Sequence, residues 1–571
     1  MSAARARPWR GIALRRVEPA TLAWLAAIAA LLFLVAGPVA RLLVSSVQDT
    51  DTGAFTWRNY AIAYGHTRDY AALGTSLLYA AEVTVLSAIF AVPMAWGVAR
   101  TDMPAKSLVR ALVLGAFITP PYLGAIGWIL LAGPNAGWLN QAWMALTGSS
   151  GGFANVYSFG GLVLVTALYA FPYIFVFTAD ALERVSSEME EAARILGAGG
   201  LRTIFRVTLP LVTPAILGGA IVVFLDTVAL FGTPAIIALP ARIKVMTLVL
   251  WQFFEFPVRA EAAAAYAVPL VLITVALFAA QRAILGRRGY VALTGKDGSR
   301  ALLQLGPWRW AVFGYALLIV GLAVILPFAA LAQAAFSRAW GRGFSWDNLT
   351  LGNFRYLLFT DPAARLTIIH SFAYSAATAC VAVALALAVA YIVSRRLVRR
   401  TGVLTALCMA PLVIPGIVLG IGFYAAWAPP PLALYGTAAI LVLGYTARFL
   451  PIAYTSCMAS LRSLNPEMEE AVRILGGSQL RAIMRVVVPL LKTSLVGSWL
   501  LVFIPATREL STAIFLVGAK TRVISVMMLD LSENGSFETL AALGFFLLGV
   551  TILIVLAGYK LLGRDFLLRR A

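Results

Sequence analysis

The chain has 571 residues, a formal net charge of +20, 61% hydrophobic residues and only 12% charged ones. Soluble domains carry about 25% charged residues. Many apolar stretches here reach the roughly 20 residues that cross a bilayer. The composition therefore excludes a soluble protein and describes an all-α polytopic membrane protein. The surplus of Lys and Arg does not indicate nucleic acid, because in membrane proteins it marks the cytoplasmic loops.

In chain order, the basic segment "MSAARARPWRGIALRR" precedes an apolar run from Thr21 to Val47. That run is long enough to span and is not followed by a small-residue cleavage site, so it is read as a retained first span rather than a secretory signal. Further spans are expected near 70–99, 108–132, 159–183, 210–236, 262–285, 312–336, 370–394, 403–428, 437–461, 489–517 and 537–562, twelve with the first. The basic, glycine-bearing stretch 286–311 divides the chain into two six-span domains, 1–285 and 312–571. Lys and Arg concentrate in alternate inter-span segments, which puts both termini in the cytoplasm together with the segments 191–209 and 470–488. Cys380, Cys408 and Cys457 lie in apolar runs without metal or redox spacing. The two histidines, His66 and His370, cannot make a histidine-rich metal site.

The two cytoplasmic segments are copies. "EEAARILGAGGLRTIFRVTLP" (190–210) returns 279 residues later as "EEAVRILGGSQLRAIMRVVVP" (469–489), and 16 of 24 positions agree between 188–211 and 467–490. "SLLY" (76–79) also matches "SFAY" (371–374). An even number of spans separates the copies, so the repeat is parallel, about an axis along the membrane normal. Matched charges and glycines in register exclude chance similarity of oily helices.

Each copy reads as two short helices. The first is capped by Ser187 in copy one and by Asn465 before Pro466 in copy two, with glutamates in its first turn. Met189, Ala192, Ala193 and Leu196 make one apolar face, and Gly197 or Gly476 stops the helix. The second helix is expected to carry Leu201, Ile204, Phe205 and Thr208 on one face and Arg202 with Arg206 on another. Pro210 and Pro489 would then begin the next spans. A charged elbow with an apolar side suits a protein partner better than anionic headgroups, which would repel its glutamates.

These residues resemble the EAA loop of ABC-importer permeases: Glu191-Ala192-Ala193, Gly197, Val207 and Leu209-Pro210, and again Glu470-Ala471-Val472, Gly476, Val486 and Val488-Pro489. Copy two departs at Val472 and Val488. The fused pair, with "FLDTVALFGTPAI" (224–236) and "RELSTAIFLVGAKTRVISVMMLDL" (508–531), is similar to the FbpB-like ferric-iron permeases, of the type I importer fold. The resemblance implies that Glu190, Glu191, Ala192, Ala193, Gly197, Glu469, Glu470, Ala471 and Gly476 dock two copies of a cytoplasmic ATPase. It also implies a periplasmic substrate-binding protein, a bacterial inner-membrane location and ferric iron as cargo. No G-x-x-x-x-G-K-[ST] motif occurs, since "LTGKDGS" (293–299) lacks the spacing. ATP and Mg are therefore expected on the partner ATPase, with no cofactor on this chain.

Ionisable residues within spans are costly and mark pathways. Glu82, Asp226, Arg448, Arg508 and Glu509 are the candidates, with Arg448 and Glu509 also a candidate ion pair. Breaks at Gly232-Thr233-Pro234 and at Pro411 and Pro415 could free backbone groups to line a cavity. Oxygen ligands suit ferric iron, whereas the arginines suit an anion. Phosphonate or a chelated ferric species therefore stay open, as do thiamine or a polyamine. An ion-coupled secondary transporter shares parallel repeats but would lack the elbows. A channel filter and an enzymatic nucleophile or metal constellation are not evident.

Overall fold

Uninterrupted apolar runs leave the backbone no hydrogen-bond partner in lipid except its own chain, so the spans must be helical. The computed structural model of the protein describes residues 19–185, 187–287 and 302–562. The basic N-terminal segment, most of the linker and the side chain of Ser187 lie outside the described residues. Among those described, ten helices are long and apolar enough to cross a membrane: Thr21–Ser46, Asp69–Arg100, Phe159–Arg184, Ile204–Ala229 and Ala260–Ala283, then Trp308–Ala335, Pro362–Ser394, Ala438–Arg462, Gln479–Thr507 and Phe537–Gly558. Two bent pairs bring the total to twelve. Numbered in chain order, the pairs are spans 3 and 9. Span 3 is Lys106–Ile118 with Pro121–Ala132, turned by 101°, and span 9 is Thr401–Leu412 with Gly416–Trp427, turned by 111°.

The expected span over 108–132 is present, but sharply bent. Pro120 and Pro121 follow Ile118 and Thr119, and consecutive prolines both lack the N–H that would continue the ladder. Spans 5 and 11 also end early, at Ala229 and Thr507, followed by short helices Gly232–Ile237 and Ala513–Leu516.

The repeat is visible in matching hydrogen bonds. Met246 N donates to Ser76 Oγ at 2.8 Å, and Ile524 N to Ser371 Oγ at 2.6 Å. Thr247 Oγ1 donates to the Leu230 carbonyl at 2.9 Å, and Ser525 Oγ to that of Glu509 at 2.7 Å. Each pair ties the segment after a broken span back onto the same half.

The halves interlock through their first spans. Span 1 packs against span 9 and span 7 against span 3, so each crosses to the opposite half. The crossings are close: a Cβ on Gly127 would lie 2.7 Å from Pro327 Cβ, and one on Gly422 would lie 2.9 Å from the Pro38 carbonyl oxygen. Glycine lets backbones approach where lipid offers no hydrophobic drive to pack helices. The described end of the linker rests on the first half, with Leu303 N donating to the Arg100 carbonyl at 2.9 Å and Leu305 N to Asp102 Oδ1 at 2.9 Å.

Candidate functional site

The elbows begin with helices Ser187–Ile195 and Glu467–Ile474. In copy two, Asn465 Oδ1 accepts from Glu467 N at 3.1 Å, and Glu467, Glu469 and Glu470 fill the first turn. Gly197 and Gly476 end the turn with φ of +81° and +77°, the left-handed conformation expected of them. Neither would meet a neighbour through an added Cβ, so the backbone angle alone selects glycine there.

The second arm differs from expectation. It is not a separate helix, because Gly200–Thr203 runs through a π-helical turn at Ile204–Thr208 directly into span 5. Copy two repeats this at Gln479–Ala482 and Ile483–Val487, leading into span 11. The wide turn makes room for Pro210 and Pro489, whose rings would clash with a regular α-turn. It also rotates the register. Thr203 and Thr208 are buried, while Phe205 is exposed beside Arg202 and Arg206 rather than on a shared face with Thr208.

The expected docking residues divide in two. Glu191, Ala192, Gly197, Glu470, Ala471 and Gly476 are exposed, and Ala193 is half-buried. Glu190 and Glu469 face inward instead. Glu190 pairs with Arg100 at 2.5 Å and Glu469 with Arg395 at 2.5 Å, all four side chains being largely buried. Five residues separate each glutamate from the exposed isoleucine, about 140° around a helix, which turns the carboxylate toward the core while the tip stays in solvent. The tip carries residues that the sequence reading left out of the docking set. Ile195 and Ile474 are each 85% exposed, and Leu196 and Leu475 each 87%. Their signal was available: an Ile-Leu pair before the stopping glycine, repeated in both copies.

A second site lies inside the membrane. Asp226, near the end of span 5, is acted on electrostatically by Arg448, Glu509 and Arg508. Tyr122, Tyr173 and Tyr445 join the same charge cluster. Four of the five expected pathway residues thus lie within electrostatic reach of one another, across both halves. Glu82 does not. It is exposed on the stripe of span 2 that carries Leu78, Val85 and Ile89, the outward face of that helix.

Both arginines bind backbone freed by the bends. Arg508 donates to the Ile118 carbonyl, which ends the first limb of span 3, and Arg448 donates to the Ile414 carbonyl at the break in span 9 at 3.2 Å. The expected Arg448–Glu509 ion pair does not form among the described residues; Glu509 Oε1 instead accepts from Thr512 N at 2.9 Å. Both side chains nevertheless crowd Gly416, where a Cβ would lie 3.2 Å from Arg448 Nε and 3.3 Å from Glu509 Oε1. The hydroxyls of Tyr122 and Thr233 are buried without hydrogen-bond partners. Among the described residues, no three His, Cys, Asp or Glu side chains are grouped to hold a metal ion. The arrangement offers scattered oxygens and two guanidinium groups that each give one nitrogen to a backbone carbonyl, which can touch a passing solute but not cage one.

Residues 84–290 match the family described as "Binding-protein-dependent transport system inner membrane component". The ferric transport system permease protein FbpB of Actinobacillus pleuropneumoniae is 25% identical over 549 residues, 94% of this chain and 77% of that protein. A putative ferric transport system permease protein, FbpB 1 of Haemophilus influenzae, is 25% identical over 503 residues, 86% of this chain and 77% of its own. The molybdenum transport system permease protein ModB of Escherichia coli K12 is 32% identical over 165 residues, 28% of this chain and 68% of ModB.

Proposed function

Because this chain belongs to the binding-protein-dependent inner-membrane transport components, the permease subunits of ABC importers, we propose that it carries ferric iron inward, driven by two copies of a separate cytoplasmic ATPase. The duplicated elbow is the observation that carries the coupling. Two tips with equal exposure and nearly equal sequence suit two equivalent sockets. Each tip is joined through its glycine turn to a second arm that is continuous with a membrane span, so a force on the tip reaches a rod that ends beside the charge cluster. Closure of the ATPase dimer then exchanges inward and outward access, with a periplasmic binding protein supplying cargo to the outer face. In this reading both termini and the elbows are cytoplasmic, as the distribution of Lys and Arg favours. ATP and Mg reside on the ATPase.

Iron as cargo is favoured by extent. The relatives named for ferric transport align with 94% and 86% of this chain, whereas the ModB match spans 28%. Carboxylate and phenol oxygens from Asp226, Glu509, Tyr122, Tyr173 and Tyr445 suit a hard cation. A dispersed set suits transit, since tight coordination would hold the ion. The arginines are the feature that suits an anionic or chelated cargo, since each guanidinium gives one nitrogen to a backbone carbonyl and has further N–H donors.

The test is uptake of radioactive ferric iron into proteoliposomes containing the chain, its ATPase and its binding protein. ATP-dependent accumulation that excess 2-aminoethylphosphonate or molybdate does not compete is expected. Accumulation of phosphonate instead overturns the iron assignment, and uptake driven by an ion gradient without any ATPase overturns the importer reading.

A further inference from the structure

The ion pairs beneath the elbows occupy equivalent places in the two halves. Arg100 closes span 2, and Arg395 follows Ser394, the last residue of span 8. Each arginine reaches two other elements. Arg100 donates to the Val185 carbonyl at 3.1 Å, where span 4 ends, and Arg395 to the Leu464 carbonyl at 3.5 Å, just beyond span 10. Each also holds the glutamate in the first elbow helix. Three elements therefore meet at one guanidinium in both halves.

Each glutamate has both oxygens engaged. Glu190 Oε2 meets Arg100, and its Oε1 accepts from Thr208 Oγ1 at 2.7 Å. Glu469 Oε1 accepts from Arg395 Nε at 2.9 Å and Nη2 at 2.5 Å, while its Oε2 accepts from the Tyr391 hydroxyl at 2.6 Å. Taking such a pair out of water is costly unless its remaining hydrogen-bonding positions are filled. The carboxylate's other oxygen is held by different residues in the two copies, and the guanidinium meets the carboxylate through one nitrogen in copy one, close but without hydrogen-bond geometry, and through two in copy two.

Geometry gives that contact a role. The second elbow helix is covalently continuous with span 5 or 11, so it needs no further link. The first elbow helix is joined to that rod through Gly197 or Gly476, where the chain turns. It has no helical continuity with span 2 or 8, and the arginine–glutamate pair is its attachment there.

We propose that Arg100–Glu190 and Arg395–Glu469 are transmission clamps, positioning residues that pass displacement of the elbow tip to spans 2 and 8. This rests on the reading that the tips receive an ATPase. With the clamp intact, a push on Leu196 or Leu475 moves two spans in each half. Without it, the first elbow helix is held only by its glycine and by the short connection to span 4 or 10, and hydrolysis proceeds while spans 2 and 8 follow incompletely.

The experiment uses the complete transporter in proteoliposomes and reads iron taken up per ATP hydrolysed, with copurification of the ATPase measured on the same preparations. The double variant Glu190→Gln with Glu469→Gln keeps the side-chain shape and is expected to retain the ATPase while uptake per ATP falls about fivefold or more, the scale of a site-to-site coupling energy. Exchanging the charges, Arg395→Glu with Glu469→Arg, is expected to restore a large share of the coupling lost by either change alone. Arg395→Lys, which keeps the charge without the two-nitrogen grip, should give an intermediate ratio and supplies the reading if the glutamine variants do not assemble. Uptake per ATP equal to the unaltered chain overturns the clamp. Loss of the ATPase from an assembled glutamine variant also overturns it, by returning the glutamates to the docking surface. An unaltered chain that transports with no ATPase overturns the importer reading instead, so the two failures are distinct.

Discussion

The two elbows share an outer surface and differ on the inner one. Outside, Ile195 and Leu196 have the same exposures as Ile474 and Leu475, and the glycines that follow adopt nearly the same φ. Inside, the position of Thr208 in copy one is Val487 in copy two, and the position of Tyr391 in copy two is Trp96 in copy one. Copy one anchors its glutamate through a hydroxyl from the base of span 5; copy two uses a hydroxyl from span 8 and a second guanidinium nitrogen. What a shared partner would touch is held the same in both halves. What each half touches in itself is free to vary, provided that the buried carboxylate stays satisfied.

The strongest way to break this comparison is to spoil both outer surfaces. Leu196→Asp together with Leu475→Asp places a charge on each apolar tip and should weaken ATPase binding about 30-fold or more, given the roughly 2 kcal/mol carried by a central apolar contact. Either change alone should leave partial binding through the other elbow, measurable by titrating the purified ATPase onto the detergent-solubilised permease. Equal losses for the two single variants would sharpen the equivalence of the tips; loss at one only would refute it.

A smaller effect is expected at the glycines. Gly197→Val and Gly476→Val force a β-branched residue into the left-handed region at a cost of about 1–2 kcal/mol. Because an added Cβ meets nothing at either position, the two should cost alike, and thermal unfolding together with uptake per ATP would read the penalty. Unequal penalties would show that the turns are supported differently.

The smallest effect lies on the inner surfaces, where the copies differ. Thr208→Val and Tyr391→Phe each remove one hydroxyl from a glutamate and should lower stability by about 1 kcal/mol, seen as a small fall in the unfolding temperature. Tyr391→Phe should be the milder in function, because Arg395 retains two contacts to Glu469 whereas Arg100 meets Glu190 through one nitrogen.

Much of this arrangement was legible in the residues. The elbows stood out as charge and glycine in an oily chain, and their recurrence gave the parallel repeat. The stopping glycines, the asparagine cap and the span count all follow from local chemistry. Hydropathy could not show the bend in span 3, because a window average has no direction; the dipeptide Pro120-Pro121 was the available signal. The inward turn of Glu190 and Glu469 was also hidden, since neighbouring glutamates in one helix turn look alike until the arginine that meets one of them is placed beside it.

By itself, the sequence determined that this chain is helical, crosses the membrane about twelve times and presents the same elbow twice, because those properties depend on local composition, hydrogen-bonding capacity and periodicity. Only the tertiary structure decided which charges meet. Asp226 comes from one half and Arg448, Arg508 and Glu509 from the other, and Arg508 reaches a carbonyl 390 residues earlier in the chain. It also decided that the first spans cross to the opposite half, at Gly127 and Gly422. At each crossing a glycine lets the backbones approach closely, and that fit of shape depends on residues far apart in the chain.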